Sequence, residues 1–497
     1  MMQKASNTTN KTNAIVTDGL SGMKPLTHIG RWLVDGAGRV VQMHGFRLKY
    51  MRGTRIKLAE NMGIKDTGDD RTELTQSEID YMVSEGFNSI RYNFDWASLE
   101  PEPGIYNETM FQRIVDTNTI LAANGLRTLI GMSQDIYSNK YSSYGYGAPE
   151  WACINKKFPP VRNEDLKSTL YGNNSMFEAW DNFYADAPAA DGVGVLTHYA
   201  NTLKHLLSAL ADATNIYDIN LFHEPCAGYS YLVQYGERRF WTEQPHFERE
   251  ILGRFYHRLV QEARQVDRKH LLFFQGSCFF DGAQSAAAKI HIPPDFTDDP
   301  NIGFCYHYTA TDSKDQTEEE AKTLIRISLD RALSYAEQGG FALALTGCSM
   351  PDDERFGWLM ETATSKFLSW HMPGFPRAKE EKRLDAISVP YAQLTAGTPL
   401  SWSFDRDDRR MEYIYSTKPV GKDAFDIEAT TEIFIPARHY PQGYLTEVSG
   451  AEVISAPTSA WLVLKNLPNA SKVRVIVYPA FDSYTDRPKT AFGPTAV

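Results

Sequence analysis

The sequence predicts an α/β fold: a (β/α)8 TIM barrel followed by a C-terminal β-sandwich domain. Three observations carry that expectation. Between about residues 40 and 370, short apolar runs alternate with segments of helical periodicity, the pattern of βα units closing a parallel sheet. The strand-like runs in that stretch number eight. After Tyr391 the helical periodicity stops, and short runs separated by turn residues take over, as in an all-β module.

Each element has its own justification. Residues 1–28 are Asn/Thr/Ser-rich and read as a disordered leader. Residues 31–46 read as a hairpin turning at Asp35-Gly36. The eight barrel strands fall at 40–46, 87–92, 126–132, 217–222, 271–275, 302–306, 342–346 and 367–370. Thr75 and Glu78 form a capping box ahead of Ile79, Met82 and Val83, and Gly86 stops that helix. Phe111, Ile114, Val115 and Leu121 line one face of the next helix, which ends at Gly125. Leu203, Leu206, Leu207 and Leu210 repeat the pattern, as do Leu324, Leu329, Leu333 and Ala336. The sandwich strands are expected at 411–415, 432–435, 461–464 and 473–477. The expected division is therefore barrel 29–395, sandwich 396–482 and a loose tail 483–497.

A chain of 497 residues has room for one large barrel and one smaller module. Its net charge of −11 argues against a nucleic-acid partner, because phosphate binding needs clustered Lys and Arg. No apolar run is long enough to span a membrane, and no signal-peptide core is present. The expected location is secreted, if a signal was removed, or otherwise cytoplasmic. Cys153, Cys226, Cys278, Cys305 and Cys348 are odd in number and lack metal-ligand spacing, so buried free thiols are expected.

The chemistry of such a barrel lies at the carboxyl ends of its strands. Strand four closes with Asn220-Leu221-Phe222-His223-Glu224-Pro225, which delivers a carboxylate at a strand tip. Alone, Glu224 would read as a surface residue of a βα loop. Strand two, however, runs from Phe87-Asn88-Ser89-Ile90-Arg91-Tyr92 into Trp96 and Glu100-Pro101-Glu102-Pro103-Gly104-Ile105-Tyr106. Strand three ends Met132-Ser133-Gln134-Asp135, with Gly147-Ala148-Pro149-Glu150-Trp151 beyond it, and strand six ends Tyr306-His307-Tyr308. Pro390-Tyr391-Ala392 and Thr395-Ala396-Gly397-Thr398-Pro399 mark the passage between domains.

Together, from about residue 30 to 480, these motifs resemble glycoside hydrolase family 5, and within it the endoglycoceramidases. The resemblance implies a retaining β-glycosidase acting on the bond between sugar headgroup and ceramide, without metal or cofactor. It implies a glycosphingolipid substrate and peripheral contact with membranes or micelles. It assigns Glu224 as the acid/base and Arg91 as the arginine supporting the nucleophile; a structural ion pair is the plainer reading of Arg91. Asp135 would bind sugar hydroxyls, His307 and Tyr308 would be the His/Tyr pair, and Trp370 would lie under the first sugar. Lys49 and Ser133 complete the substrate-binding set, with His223 donating to the sugar 2-hydroxyl.

The chain departs from the family at several of these positions. Strand seven should end Thr-Glu, with the glutamate as nucleophile, yet Ala344-Leu345-Thr346-Gly347-Cys348 puts Gly347 there. His223 replaces the motif's asparagine, Ser133 a usual histidine, and Arg47 a common asparagine. Gly347 can be an introduced Glu-to-Gly change of the glycosynthase type, the mark of a natural glycan-binding pseudoenzyme, or a one-residue misregister. The first is the working expectation. An exo-acting β-glucosidase on glucosylceramide or steryl glucoside is the alternative activity. Aromatic-rich loops, with Tyr137, Tyr141, Tyr144, Tyr146, Tyr229, Tyr231, Phe279 and Phe280, are expected to offer an apolar lipid groove.

Overall fold

The computed structural model describes residues 23–49, 75–165, 168–169, 172–236, 245–277, 290–310, 316–350, 352–374, 381–425 and 428–480. Most of the expected leader and the tail, Cys278, Phe279 and Phe280 lie outside the described residues.

Three short strands come first, β1 (Thr27–Ile29), β2 (Trp32–Val34) and β3 (Val40–Val41). The barrel strands follow: β4 (His44–Lys49), β5 (Ser89–Phe94), β6 (Arg127–Met132) and β7 (Ile216–Asn220). Then come β8 (Leu272–Gln275), β9 (Ile302–Thr309), β10 (Ala342–Ser349) and β11 (Ser369–Met372). These eight close into a barrel through parallel pairs, with β11 returning onto β4 at Trp370↔His44. The expected (β/α)8 class is what forms.

The sandwich uses β12 (Tyr391–Thr395), β13 (Thr398–Asp405), β14 (Arg410–Ser416) and β15 (Thr430–Phe434). It is completed by β16 (Tyr444–Ser449), β17 (Ala451–Val453), β18 (Trp461–Asn466) and β19 (Lys472–Pro479). One sheet runs β13-β14-β19-β16; the other runs β1-β2-β3-β12-β15-β18-β17. The N-terminal strands therefore belong to the C-terminal sheet, with Val40 and Val41 opposite Thr395 and Leu394. This corrects the expected first barrel strand at 40–46: it is two strands, and the chain passes from sandwich to barrel between Val41 and His44. A continuous apolar run hides that passage, because both sides are buried.

The expected helices form where capping and periodicity place them. Thr75 and Glu78 bond reciprocally in a capping box, and the helix Gln76–Ser84 buries Ile79 and Met82. Gly86 follows at φ +87, and a side chain there would strike Phe434, its Cβ 2.3 Å from the ring. Only glycine allows the sandwich to approach this close. Tyr391 donates to Gly86 O at 2.7 Å and Arg438 forks onto Glu85 at 2.7 and 2.8 Å, so the same turn anchors both domains.

The barrel interior changes character along its axis. Its lower end is plugged by Leu26, Leu33, Val41 and Met43 against Leu129, Tyr217 and Phe273. Above them His371 meets Ser89 Oγ at 2.9 Å and the Tyr217 hydroxyl at 3.1 Å. Asp218 buries a carboxyl group in this interior, against Cys305 Sγ at 3.6 Å. The described cysteines, Cys153, Cys226, Cys305 and Cys348, are free and buried.

Candidate active site

Glu224 sits one turn beyond β7 in a backbone conformation unusual for its type, at φ +46. Left-handed geometry costs a non-glycine residue about 1–2 kcal/mol. Two glutamines hold it there. Gln134 Nε2 donates to His223 O at 2.9 Å and to Glu224 O at 2.7 Å. Gln275, at the tip of β8, accepts from Glu224 N at 3.2 Å. His223 Nδ1 donates to Gln134 O at 2.8 Å, closing the clamp. The clamp presents the Glu224 side chain, 30% exposed, to the mouth of the barrel.

The Glu224 carboxylate takes its shortest contact from His307 on β9, whose Nδ1 lies 2.7 Å from Oε1. Arg91 on β5 is buried, 1% exposed. Its Nη1 reaches His307 Nε2 at 3.2 Å and donates to Thr346 O at 2.5 Å. A guanidinium can only donate, so His307 Nε2 is the acceptor and its Nδ1 carries the proton given to Glu224. Burial pushes the His307 pKa down to about 4, although Glu224 favours its protonated form, so the ring is neutral at pH 7.

The same reasoning fixes the state of His223. Its Nδ1 faces a carbonyl and must donate, which leaves Nε2 bare. That nitrogen has no hydrogen-bond partner among the described residues and lies 3.7 Å from Glu224 Oε1. Burial holds the ring far below its usual pKa. His223 therefore accepts from a hydroxyl and does not donate to one, which corrects the expected role.

Burial alone would raise the Glu224 pKa. The His307 hydrogen bond and the Arg91 charge oppose it and hold the carboxyl well below the usual range. Glu224 is thus an ionised acceptor in this state.

Gly347 lies on β10 opposite His307, just past a bulge at Thr346. A Cβ there would stand 2.9, 3.0 and 3.1 Å from three atoms of the His307 ring. The histidine occupies the space into which a nucleophile side chain would start. A retaining glycosidase needs two carboxyl groups about 5–5.5 Å apart. Among the described residues, Glu224 stands near a glycine, Gly347, at the place where the resemblance expects the second carboxylate.

Not every expected residue reaches the rim. Trp370 is fully buried, stacks on His44 at 4.2 Å and donates to Thr364 Oγ1 on the helix Asp353–Ser365. It packs the layer between barrel and helices and is not a sugar platform. β11 starts two residues later than expected, after Phe367 turns at φ +59, a shift that leaves the alternation of faces unchanged; His371 is the inward residue of the pair and Trp370 points to the outer layer. Tyr308 alternates with His307 along β9 and belongs to the apolar layer outside the barrel, 2% exposed. It too leaves the set. Ser133 is buried, with no partner for Oγ among the described residues. Asp135 is half-buried at the rim, its backbone bridged to Tyr146 at 2.9 and 3.0 Å. Lys49 ends β4, and its side chain is outside the described residues.

The expected lipid groove is corrected in the loop after β6: Tyr137, Tyr141 and Tyr146 are buried, packing the loop onto the barrel. Tyr229 and Tyr231 are half-buried against the same core.

Three residues gained a place that the sequence did not signal. Gln134 and Gln275 act on the backbone of the Glu224 turn, and no spacing rule marks such contacts. Arg47 on β4 stands in register with Arg91. His223 Nε2, Glu224 Oε1 and His307 Nδ1 lie within 4.8 Å of one another. That donor set fits a cation poorly, because Arg91 holds the proton on His307 Nδ1 and adds positive charge.

Comparison with known proteins agrees with this architecture. Residues 390–477 match the model of the glycoside hydrolase family 5 C-terminal domain. Endoglycoceramidase I of Rhodococcus hoagii (strain 103S) is 23% identical over 453 residues, covering 86% of this chain and 83% of its own. An endoglycoceramidase of Hydra vulgaris is 22% identical over 511 residues, covering 95% and 91%. The structure of endo-glycoceramidase II from Rhodococcus sp. in complex with ganglioside GM3 superposes with a TM-score of 0.70 at 21% identity, covering 90% of this chain and 99% of that one.

Proposed function

We propose that this chain, an endoglycoceramidase-like glycoside hydrolase of family 5, takes the sugar headgroup of a glycosphingolipid at its barrel rim and acts on the bond to ceramide. The observation that carries the reading is the Arg91–His307–Glu224 chain, which ends on a clamped carboxylate and whose histidine lies against Gly347. Glu224 is the group that moves the proton at the glycosidic oxygen. Its low pKa suits it to act as a base; it becomes an acid only when a second negative charge lies nearby. His223 Nε2, bare and aimed at the same space, takes a sugar hydroxyl proton. The ceramide remains outside the barrel, toward the micelle or membrane that presents it.

The chain lacks its own nucleophile, so double displacement is impaired as it stands. Loss of a catalytic carboxylate raises the barrier by roughly 5 kcal/mol or more, several powers of ten in rate. The test is Gly347→Glu, assayed on micellar glycosphingolipids with NMR detection of the released sugar's anomer. The expected result is hydrolysis with retention of configuration, together with displacement of His307 from the space it fills. If this variant cleaves no glycosphingolipid and the unaltered chain binds none, the proposal fails.

A further inference from the structure

The charge balance at the rim leaves an anion unaccounted for. Arg47 and Arg91 are register partners on adjacent parallel strands, β4 and β5. Strands in a sheet run about 4.8 Å apart, so two guanidinium groups start from neighbouring positions at the same height. Like charges placed opposite one another repel, and buried ones need a counter-charge. Neither arginine forms an ion pair among the described residues. Arg91 spends its bonds on a carbonyl and a neutral imidazole, and Nε of both arginines is buried without a partner. Of the carboxyl groups that interact with Arg91, Glu224 is engaged by His307, and Asp218 is pushed well above the usual range by burial, which Arg91 only partly opposes. His223 and His307 are both neutral near pH 7, so they neither add to nor offset this charge.

Two arginines therefore stand on neighbouring strands, and Arg91 reaches Thr346 O, next to the glycine where the resemblance expects a carboxylate. Each guanidinium keeps a free donor, and a planar or tetrahedral oxyanion can take bonds from both. We propose that Arg47 and Arg91 together form an oxyanion site, filled either by a free oxyanion or by an acidic group on the sugar headgroup. The site rests on charge and geometry and stands whether or not the chain cleaves glycolipids. An occupied site neutralises the arginine pair and returns a negative charge to the neighbourhood of Glu224, which favours its protonated form.

The test uses the full chain and defined probes. Thermal shift and calorimetry are run with sodium formate, phosphate and sulfate against sodium chloride at matched ionic strength. The expected result is saturable stabilisation by the oxyanions beyond that of chloride, weakened at least tenfold in Arg47→Gln and partly kept in Arg47→Lys. A second arm compares micelles of galactosylceramide with those of its 3-sulfated form. Sulfated lipid binding tenfold tighter, and competing with free sulfate, assigns the site to the headgroup. Equal binding of both lipids, with neutral-lipid binding strengthened by free oxyanion, assigns it to a free ion. No oxyanion effect and no preference for the sulfated lipid overturns the proposal, as does an Arg47→Gln protein that folds and responds like the parent.

Discussion

Gly347→Ala is the smallest change that probes the arrangement around Glu224. The added Cβ would stand 2.9–3.1 Å from the His307 ring, closer than the ring can tolerate, and the contact is with its mobile end. The histidine has to turn, which breaks its 2.7 Å bond to Glu224 and its 3.2 Å contact with Arg91. A hydrogen bond to a charged group contributes about 1.5–3 kcal/mol. Glu224 is 30% exposed, so water recovers part of the loss, and the lower half of that range applies. Arg91 retains Thr346 O and adds little. The expected cost is about 1.5–2 kcal/mol at pH 7, read by chemical denaturation followed through tryptophan fluorescence. The pH dependence gives a second reading. The Glu224 pKa is depressed in the folded chain, so its contribution is complete above the unfolded glutamate value of about 4.3 and is lost as pH falls through the folded value. The gap between parent and variant should therefore be full at pH 7 and close progressively below about pH 4. Equal stability at pH 7, or a gap that stays constant down to pH 3, refutes the reasoning.

Three further expectations follow from the same geometry. In the Gly347→Glu background, Glu224→Gln should slow ceramide glycosides far more than activated aryl glycosides, because only poor leaving groups need the proton; equal losses would give Glu224 another role. Gln134→Ala removes two bonds to the strained turn and should lower stability by about 1–3 kcal/mol while weakening headgroup binding; unchanged binding in a folded variant would show that the clamp does not position the carboxylate. Trp370→Ala should destabilise the chain by about 3–5 kcal/mol, as for other buried aromatics, without selectively weakening sugar binding; a folded variant with lost binding would return Trp370 to the site.

The strand count and the order of the motifs were legible because apolar runs and helical periodicity reflect burial directly. Glu224, Arg91 and His307 could be placed through the motifs that carry the family resemblance, and the structure brings the three together. Trp370 and Tyr308 were misplaced by strand parity: each is the neighbour of an inward histidine, His371 and His307, and adjacent residues of a strand face opposite ways. Phe367, left-handed without being glycine, is the residue that shifts β11, and nothing in its identity announces that turn. The protonation pattern at the rim was equally invisible. It depends on which nitrogen of His307 faces Arg91 and which nitrogen of His223 faces a carbonyl, and those are facts of orientation.

The pairing of β3 with β12 has a mechanical consequence. The chain enters and leaves the barrel through one sheet, so the barrel is topologically an insert held between two adjoining strands. Tension applied between residues 23 and 480 would load the sandwich first: the ladder joining Val40 and Val41 to Thr395 and Leu394 would carry the force, while the barrel's loop stays slack. Only after that ladder unzips would force reach β4 and β11, the strands whose seam closes the cylinder beneath the rim.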